Sequence, residues 1–343
     1  MTSLKMPLSH FIQGISRNFA MMEDSFYMKR CIHLAKLGQG NVAPNPLVGA
    51  VIIFNNKIIG EGYHEKYGEA HAEVNAVNSV KDKTLLAEST IYVCLEPCAH
   101  FGKTPPCSDL IIQHKIKNVV IGCIDSYSEV AGKGVAKLKA AGINVRTGVL
   151  EKECLELNKR FFTYHNKKRP YVILKWAESI DGFMDIEREQ NQEGVHWISQ
   201  AETKQMVHKW RNEENGIAVG ANTFLTDHPK LTVREIEGNS PTRFIIGNIG
   251  GQKNNYEFNI GNDKRLTVHE LMDEIYKQNI QSILIEGGAS ILNQFLKAKI
   301  WDEVRIIRGV NKISKGLKSP KLDIKPTEEY SYGKDFIQIY LND

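Results

Sequence analysis

Cysteine is scarce in this chain. Six residues in 343, with no secretory signal ahead of them, are too few for a disulfide scaffold. Reduced thiols in a cytoplasm are expected, so any clustered cysteine reads first as a metal ligand. Long apolar runs are missing as well. The best, Val48–Phe54, has the length of a strand, where a membrane span needs ~18–20 residues. Charge of one sign is also absent: 44 basic against 40 acidic side chains give +4, with no basic block. That argues against a dedicated nucleic-acid binder and for small-molecule chemistry. No G-x-G-x-x-G follows a strand pattern, so the usual dinucleotide fingerprint is missing too.

What is present is an ordinary globular composition, 42% hydrophobic and 24% charged, which excludes a disordered or fibrous chain. Residues 1–22 stand apart, without acids and carrying Lys5, His10 and Arg17. They read as a disordered tail, a targeting segment, or an over-called start ahead of Met21 or Met22. Next, Asp24 or Ser25 is placed to cap a helix with the apolar face Tyr27, Cys31, Leu34 and Ala35. Ala50–Phe54 and Lys57–Tyr63 read as strands joined by Asn55-Asn56, a pair that tolerates positive φ. Strands Thr90–Leu95, Asn118–Ile124 and Ile143–Val149 then alternate with helices His71–Val80, Ser108–Lys115, Lys133–Ala141 and one from Lys152 to Thr163.

The charged, turn-forming stretch Asn166–Pro170 is the candidate linker, separating a domain of residues 23–168 from one of 169–343. Beyond it the alternation restarts. Strands are expected at Tyr171–Lys175, Ile217–Gly220, Arg243–Ile246, Ser282–Glu286, Glu303–Arg308 and Phe336–Leu341. Helices are expected at Gln200–Arg211, Val268–Gln278 and Ala289–Lys299. The pattern predicts two different α/β domains, each of three-layer type.

One constellation carries chemistry: His71-Ala-Glu73, then Glu96-Pro97-Cys98, then Cys107. One histidine and two cysteines make three zinc-preferring ligands and leave the fourth position open, as a catalytic site requires. Zinc so held lowers the pKa of water toward neutrality. Glu73, two residues from the histidine, can reach that water without ligating and carry its proton to a leaving amine. The pattern is that of zinc nucleobase deaminases, H-x-E followed by P-C-x-x-C, with eight residues between the cysteines in place of two. Within that insertion His100, Lys103 and Thr104 suit an anionic sugar phosphate. Cys31, Cys94, Cys123 and Cys154 read as small core hydrophobes. His33, His114, His208 and His269 read as ordinary helix residues.

Together with Pro44-Asn-Pro-Leu-Val-Gly49, His71-Ala-Glu73 and the stretch from Leu95 to Cys107 resemble the bifunctional deaminase–reductase of riboflavin biosynthesis, and the resemblance runs from about Met22 to the C-terminus. It implies a cytidine-deaminase-like domain that hydrolyses an amino group from a diaminopyrimidinone carrying a phosphoribosylamino chain. One zinc per chain would sit on His71, Cys98 and Cys107, with Glu73 as proton carrier and Asn45, His64 and Lys103 on the substrate.

The second half would be a dihydrofolate-reductase-like domain using NADPH to reduce the ribosyl chain to ribityl. Its matching stretches are Lys175–Gly182, Trp197–Ser199, Ala221–Arg234 and Ile285–Ser290, the last placing Gly287 and Gly288 at a strand-to-helix turn suited to phosphate. By that match Ala177, Trp197, Thr223, Asp227, Asn248, Gly288, Ala289, Ser290, Ile291, Leu292, Asn293 and Gln294 line the cofactor. Val195, Arg211, Leu231, Arg234 and Glu286 would face the substrate, with Arg211 gripping its phosphate. Lys175 or Asp227 would assist ring opening and protonation. Val195 stands where the family has a serine, and Ile246-Gly-Asn248 replaces its I-D-S. Small phosphoribosyl pyrimidines are the expected partners, with neither nucleic acid nor membrane, in a homo-oligomer. Two rival readings are a nucleic-acid-editing deaminase with an accessory domain and a deaminase whose second half is a non-catalytic, regulatory nucleotide-binding module.

Overall fold

The computed structural model describes residue 22 and residues 24–101, 105–125, 131–189 and 192–342. The expected 1–22 extension lies, apart from Met22, outside the described residues. The chain divides into two compact units, Met1–Phe162 and Thr163–Asp343.

In the first unit, helix α1 (residues 24–36) buries Tyr27, Met28, Cys31, Leu34 and Ala35. Asp24, expected as its cap, is a helical residue instead. Its carboxylate is buried and accepts from the Tyr92 hydroxyl at 2.7 Å and from Arg146. Strands β1 (Gly49–Phe54) and β2 (Lys57–Tyr63) form a hairpin whose Asn55 and Asn56 have φ of 47° and 58°. Two left-handed residues match the strands' own twist, and asparagine tolerates them. Then come α2 (Ala72–Ser79), β3 (Thr90–Leu95), α3 (Cys107–Gln113), β4 (Asn118–Cys123), α4 (Lys133–Ala140), β5 (Asn144–Thr147), α5 (Glu151–Leu157) and α6 (Lys159–Lys167), within which the first unit gives way to the second after Phe162.

The sheet order is β2-β1-β3-β4-β5, with β3, β4 and β5 parallel. Alternate residues sort to opposite faces. Ala50, Ile52, Ile91 and Val93 pack on α2, α3 and α4, while Val51, Ile53, Tyr92 and Cys94 pack on α1 and α5. The result is a three-layer sandwich. The single helix expected from Lys152 is two, because Asn158 between them uses its amide on Leu47, accepting from its N–H at 2.8 Å and donating to its C=O at 2.9 Å.

The second unit comprises β6 (Tyr171–Glu178), β7 (Phe183–Ile186), α7 (Thr203–Glu213), β8 (Gly216–Gly220), α8 (Ala221–Asp227), β9 (Thr242–Ile246) and β10 (Phe258–Ile260), followed by α9 (Val268–Lys277), β11 (Ser282–Ile285), α10 (Ala289–Ala298), β12 (Glu303–Arg308), β13 (Gly316–Lys318), β14 (Glu328–Tyr332) and β15 (Asp335–Leu341). Its main sheet runs β10-β9-β8-β11-β6-β12-β15-β14, with the first six parallel and the last two antiparallel. Val172, Leu174 and Trp176 face α9 and α10, whereas Tyr171 and Ile173 join Val219 and Leu284 under α8. Lys175 and Ala177 continue that second row, so the pleat alone aims them to the α7–α8 side.

Candidate functional site

In the first unit the chemistry gathers where β3 ends and two helices begin. His71 is the residue before α2, Cys107 opens α3, and Cys98 follows the turn after β3. Cys98 Sγ lies 3.7 Å and Cys107 Sγ 3.4 Å from His71 Nδ1. A tetrahedral zinc with sulfur at ~2.3 Å and nitrogen at ~2.0 Å would separate its ligands by roughly 3.5 Å. The three donors, all within 4.8 Å of one another, therefore fit that ion, with Nδ1 as the histidine's ligating atom. Helix N-termini favour the negative charge that the thiolates bring. The Cys107 N–H donates to Cys98 Sγ at 3.3 Å. The sulfurs share that field unequally. The hydrogen bond between them pulls Cys98 well below the usual thiol range and pushes Cys107 up.

Glu73 sits in the first turn of α2, 3% exposed, beside both sulfurs. Burial first, and then the Cys98 charge, push its carboxyl up to about 7. Gly62 lets α2 lie this close to β2: a Cβ there would stand 2.3 Å from the Ala76 nitrogen. His64 Nδ1 is 3.0 Å from the Ala70 carbonyl, and Nε2 is 3.0 Å from Asn45 Nδ2. The carbonyl can only accept, so Nδ1 carries the proton and Nε2 accepts from Asn45. Burial lowers the His64 pKa and keeps the ring neutral. The His64 and His71 rings meet edge to face, 5.4 Å between centroids, which sets His64 and its partner Asn45 beside the His71–Cys98–Cys107 group. Lys103 lies outside the described residues.

Glu96 is a residue whose role the motif did not reveal. Its buried carboxylate accepts from the backbone N–H of Asp125 at 3.3 Å, Gly132 at 3.0 Å and Val135 at 3.0 Å. The start of α4 is thereby tied to the turn that presents Cys98. Gly134 permits it, since a Cβ there would come within 2.1 Å of the Pro97 carbonyl.

In the second unit a cavity of about 460 Å³ opens at the C-terminal ends of β6, β8 and β11. Parallel sheets place ligands there. The ladder pairs Ile285 with Leu174, so the next residues, Glu286 and Lys175, are neighbours. Glu286 takes a bidentate bond from Arg211 at 2.9 and 2.8 Å and has Lys175 Nζ at 3.8 Å. Burial would push the Glu286 carboxyl up, but Arg211 and Lys175 together hold it down to about 2. For Lys175, burial draws the ammonium below its usual range, against the pull of Glu286. Arg211 also donates to the Thr232 carbonyl at 3.2 Å. The fork that the sequence assigns to a phosphate is thus engaged with a carboxylate here.

Ala177, Val195, Trp197, Thr223, Asp227, Leu231, Arg234 and Gly288 line the same cavity. Asn248 does not: it is exposed, its Oδ1 accepting from Gly250 N–H at 2.6 Å. Along α10 the 3.6-residue period sends Ile291 and Leu292 into the core and leaves Ser290 and Asn293 outside. Ala289 and Gln294 likewise stand off the lining, so of this helix's entry only the Gly287–Gly288 turn faces the cavity. Sequence reasoning missed Asp185, Arg188, Lys204 and His208. Arg188 donates to Asp185 at 2.5 Å, Gly194 O at 2.8 Å and Asp227 at 3.3 Å, tying the loop before Val195 to the wall. Lys204 lies 4.0 Å over the Trp197 ring. Six cationic side chains and three carboxylates surround the cavity. His208, three residues before Arg211 on one helix face, was the one that spacing could have flagged.

Residues 21–123 match the cytidine and deoxycytidylate deaminase zinc-binding region, and residues 170–309 match the RibD C-terminal domain. The chain is 36% identical to the riboflavin biosynthesis protein RibD of Aquifex aeolicus, covering 89% of this chain and 92% of that one. Over 141 residues it is 55% identical to a diaminohydroxyphosphoribosylamino-pyrimidine deaminase of Buchnera aphidicola, which spans 41% of this chain and 95% of that protein. A crystal structure of the deaminase/5-amino-6-(5-phosphoribosylamino)uracil reductase of Thermotoga maritima superimposes with a TM-score of 0.84 at 35% identity, over 93% of this chain and 99% of that one. With both halves present, the chain belongs to the RibD family of bifunctional riboflavin biosynthesis enzymes.

Proposed function

We propose that the first unit deaminates 2,5-diamino-6-(5-phosphoribosylamino)pyrimidin-4(3H)-one and that the second reduces the ribosyl chain of the product, each with the residues built up above. The observation that carries this is the pairing, in one chain, of a His71–Cys98–Cys107 donor set against buried Glu73 with a separate cationic cavity around Lys175, Glu286 and Arg211. His71, Cys98 and Cys107 would hold the zinc, which polarises water and the reacting carbon's substituents when bound. Glu73 then takes a proton from the attacking water and returns it to the departing amine. A carboxyl raised toward neutrality suits both directions of transfer. Asn45 and the neutral His64 would orient the pyrimidine.

In the second unit NADPH supplies hydride when bound, and Gly287 and Gly288 leave its phosphates room at the start of α10. Lys175 rather than Asp227 is assigned the proton. Its ammonium is buried at the strand ends beside Glu286 and made more acidic by that burial. Glu286 holds Lys175 in place and presents its oxygens to the sugar hydroxyls. We propose the functional division between residues 168 and 169, within the Asn166–Pro170 stretch, and a cytoplasmic setting on the sparse cysteine usage of the sequence. No helix of the described residues is long and apolar enough to cross a membrane. The deciding experiment supplies the deaminated intermediate with deuterated NADPH. Label arriving in the ribityl chain is expected. Deamination without any transfer would leave the second unit a non-catalytic module.

A further inference from the structure

One wall of the reductase cavity is a short segment, residues 231–235, that α7 grips at two points. Leu231 is buried with φ of 55°, a conformation a branched side chain adopts only under restraint from its surroundings. Arg211 supplies one restraint through the Thr232 carbonyl at 3.2 Å. The other comes one helical turn earlier. His208 is 3% exposed, and its Nδ1 receives the backbone N–H of Arg234 at 2.9 Å and of Glu235 at 3.4 Å. A backbone N–H can only donate, so Nδ1 is the unprotonated nitrogen.

We propose that His208 is a positioning residue of the reductase: through Nδ1 it fixes the backbone at Arg234 and Glu235, and so sets where Leu231 and Arg234 meet the substrate. The inference rests on reading the 460 Å³ cavity as the reductase pocket. The charged groups facing the ring are Arg211 on its own helix, Arg234 and Glu235 on the gripped segment, and Glu286 after β11. Burial, reinforced by the two arginines, holds its pKa down to about 4, so the ring stays neutral and the acceptor stays available at working pH. No hydride or proton passes through His208. It acts on the substrate through Arg234.

The test uses the full-length enzyme with zinc and NADPH, assayed on the deaminated intermediate. His208→Asn places its Oδ1 close to the Nδ1 position, while His208→Gln carries its oxygen farther out. His208→Gln should raise the substrate KM roughly tenfold, as loss of a buried hydrogen bond implies, with kcat and the KM for NADPH little changed. His208→Asn should stay close to wild type. Amide exchange at Arg234 and Glu235 should quicken in His208→Gln and not in His208→Asn, a contrast that general loosening of the fold would not give. Equal KM values and equal exchange in the two variants would overturn the role while the pocket reading stands. Should wild-type enzyme not reduce the intermediate at all, the pocket reading falls, and the exchange contrast alone decides what His208 holds.

Discussion

Glu73 and Glu286 are the same side chain put to opposite uses by what surrounds them. Glu73 is buried beside sulfur and rises to about 7; Glu286 is buried beside two cations and falls to about 2. The first is suited to trade protons and the second to remain a fixed negative charge. Glu73→Gln keeps the volume and removes the proton carrier. Zinc should stay bound while deamination falls at least about 10²-fold, checked by metal analysis alongside turnover. Arg211→Ala leaves Glu286 buried with only Lys175. Denaturant unfolding should register a loss of up to about 3 kcal/mol, the low end for breaking a buried pair, because Lys175 still faces the carboxylate. Substrate KM should rise more than the KM for NADPH. Lysine at this position should restore little, because one ammonium cannot replace a planar fork.

At the level of elements, helix starts and strand ends do the positioning, and glycines decide how near they come. A Cβ on Gly288 would stand 2.9 Å from Thr223 Oγ1, the atom that now accepts its N–H at 3.0 Å. Gly288→Val should therefore raise the KM for NADPH while sparing the substrate KM, as steady-state kinetics with each varied in turn will tell. Gly134→Ala should displace the Pro97 carbonyl and with it Cys98. A chelator competition would then show weaker zinc binding, with deamination falling in parallel. Elements with strong periodicity or turn chemistry were legible: the Asn55–Asn56 hairpin, β3 and β12 coincide with what the pattern predicts. So was the grouping of His71, Cys98 and Cys107, whose residue types and spacing bring three zinc-preferring donors together. Short or polar elements were not. β7, β10, β13 and β14 carry too few alternating apolar residues to read, and α8, Ala-Asn-Thr-Phe-Leu-Thr-Asp, lacks a helical stripe. The Arg211–Glu286 bond joins residues 75 apart, a proximity that follows from strand order and has no local trace.

Each unit has its own core and its own site, so the two activities should fail separately. Cys107→Ala should lose zinc and deamination yet still reduce intermediate supplied already deaminated. Full zinc content in that variant would remove Cys107 from the ligand set. Acid should act on the second unit in two stages. His208 binds its proton less readily folded than unfolded, so stability falls with pH between its ordinary 6.5 and about 4. Glu286, likewise depressed, loses its contribution between 4.5 and about 2. In an acid titration followed by circular dichroism, His208→Asn should flatten the upper stage and Glu286→Gln the lower.

The cavity in that unit carries twice as many cationic as anionic side chains, and both molecules it is proposed to admit carry phosphate. Low-dielectric walls concentrate such a field outward, so it acts before contact, on the approach of the ligand. Stopped-flow association of NADPH should slow steeply as salt shortens the Debye length from about 30 Å at 10 mM to about 8 Å at 150 mM. Dissociation, governed by contacts already made, should change far less over the same range. A cavity so charged would draw phosphorylated ligands in from a distance, ahead of any contact.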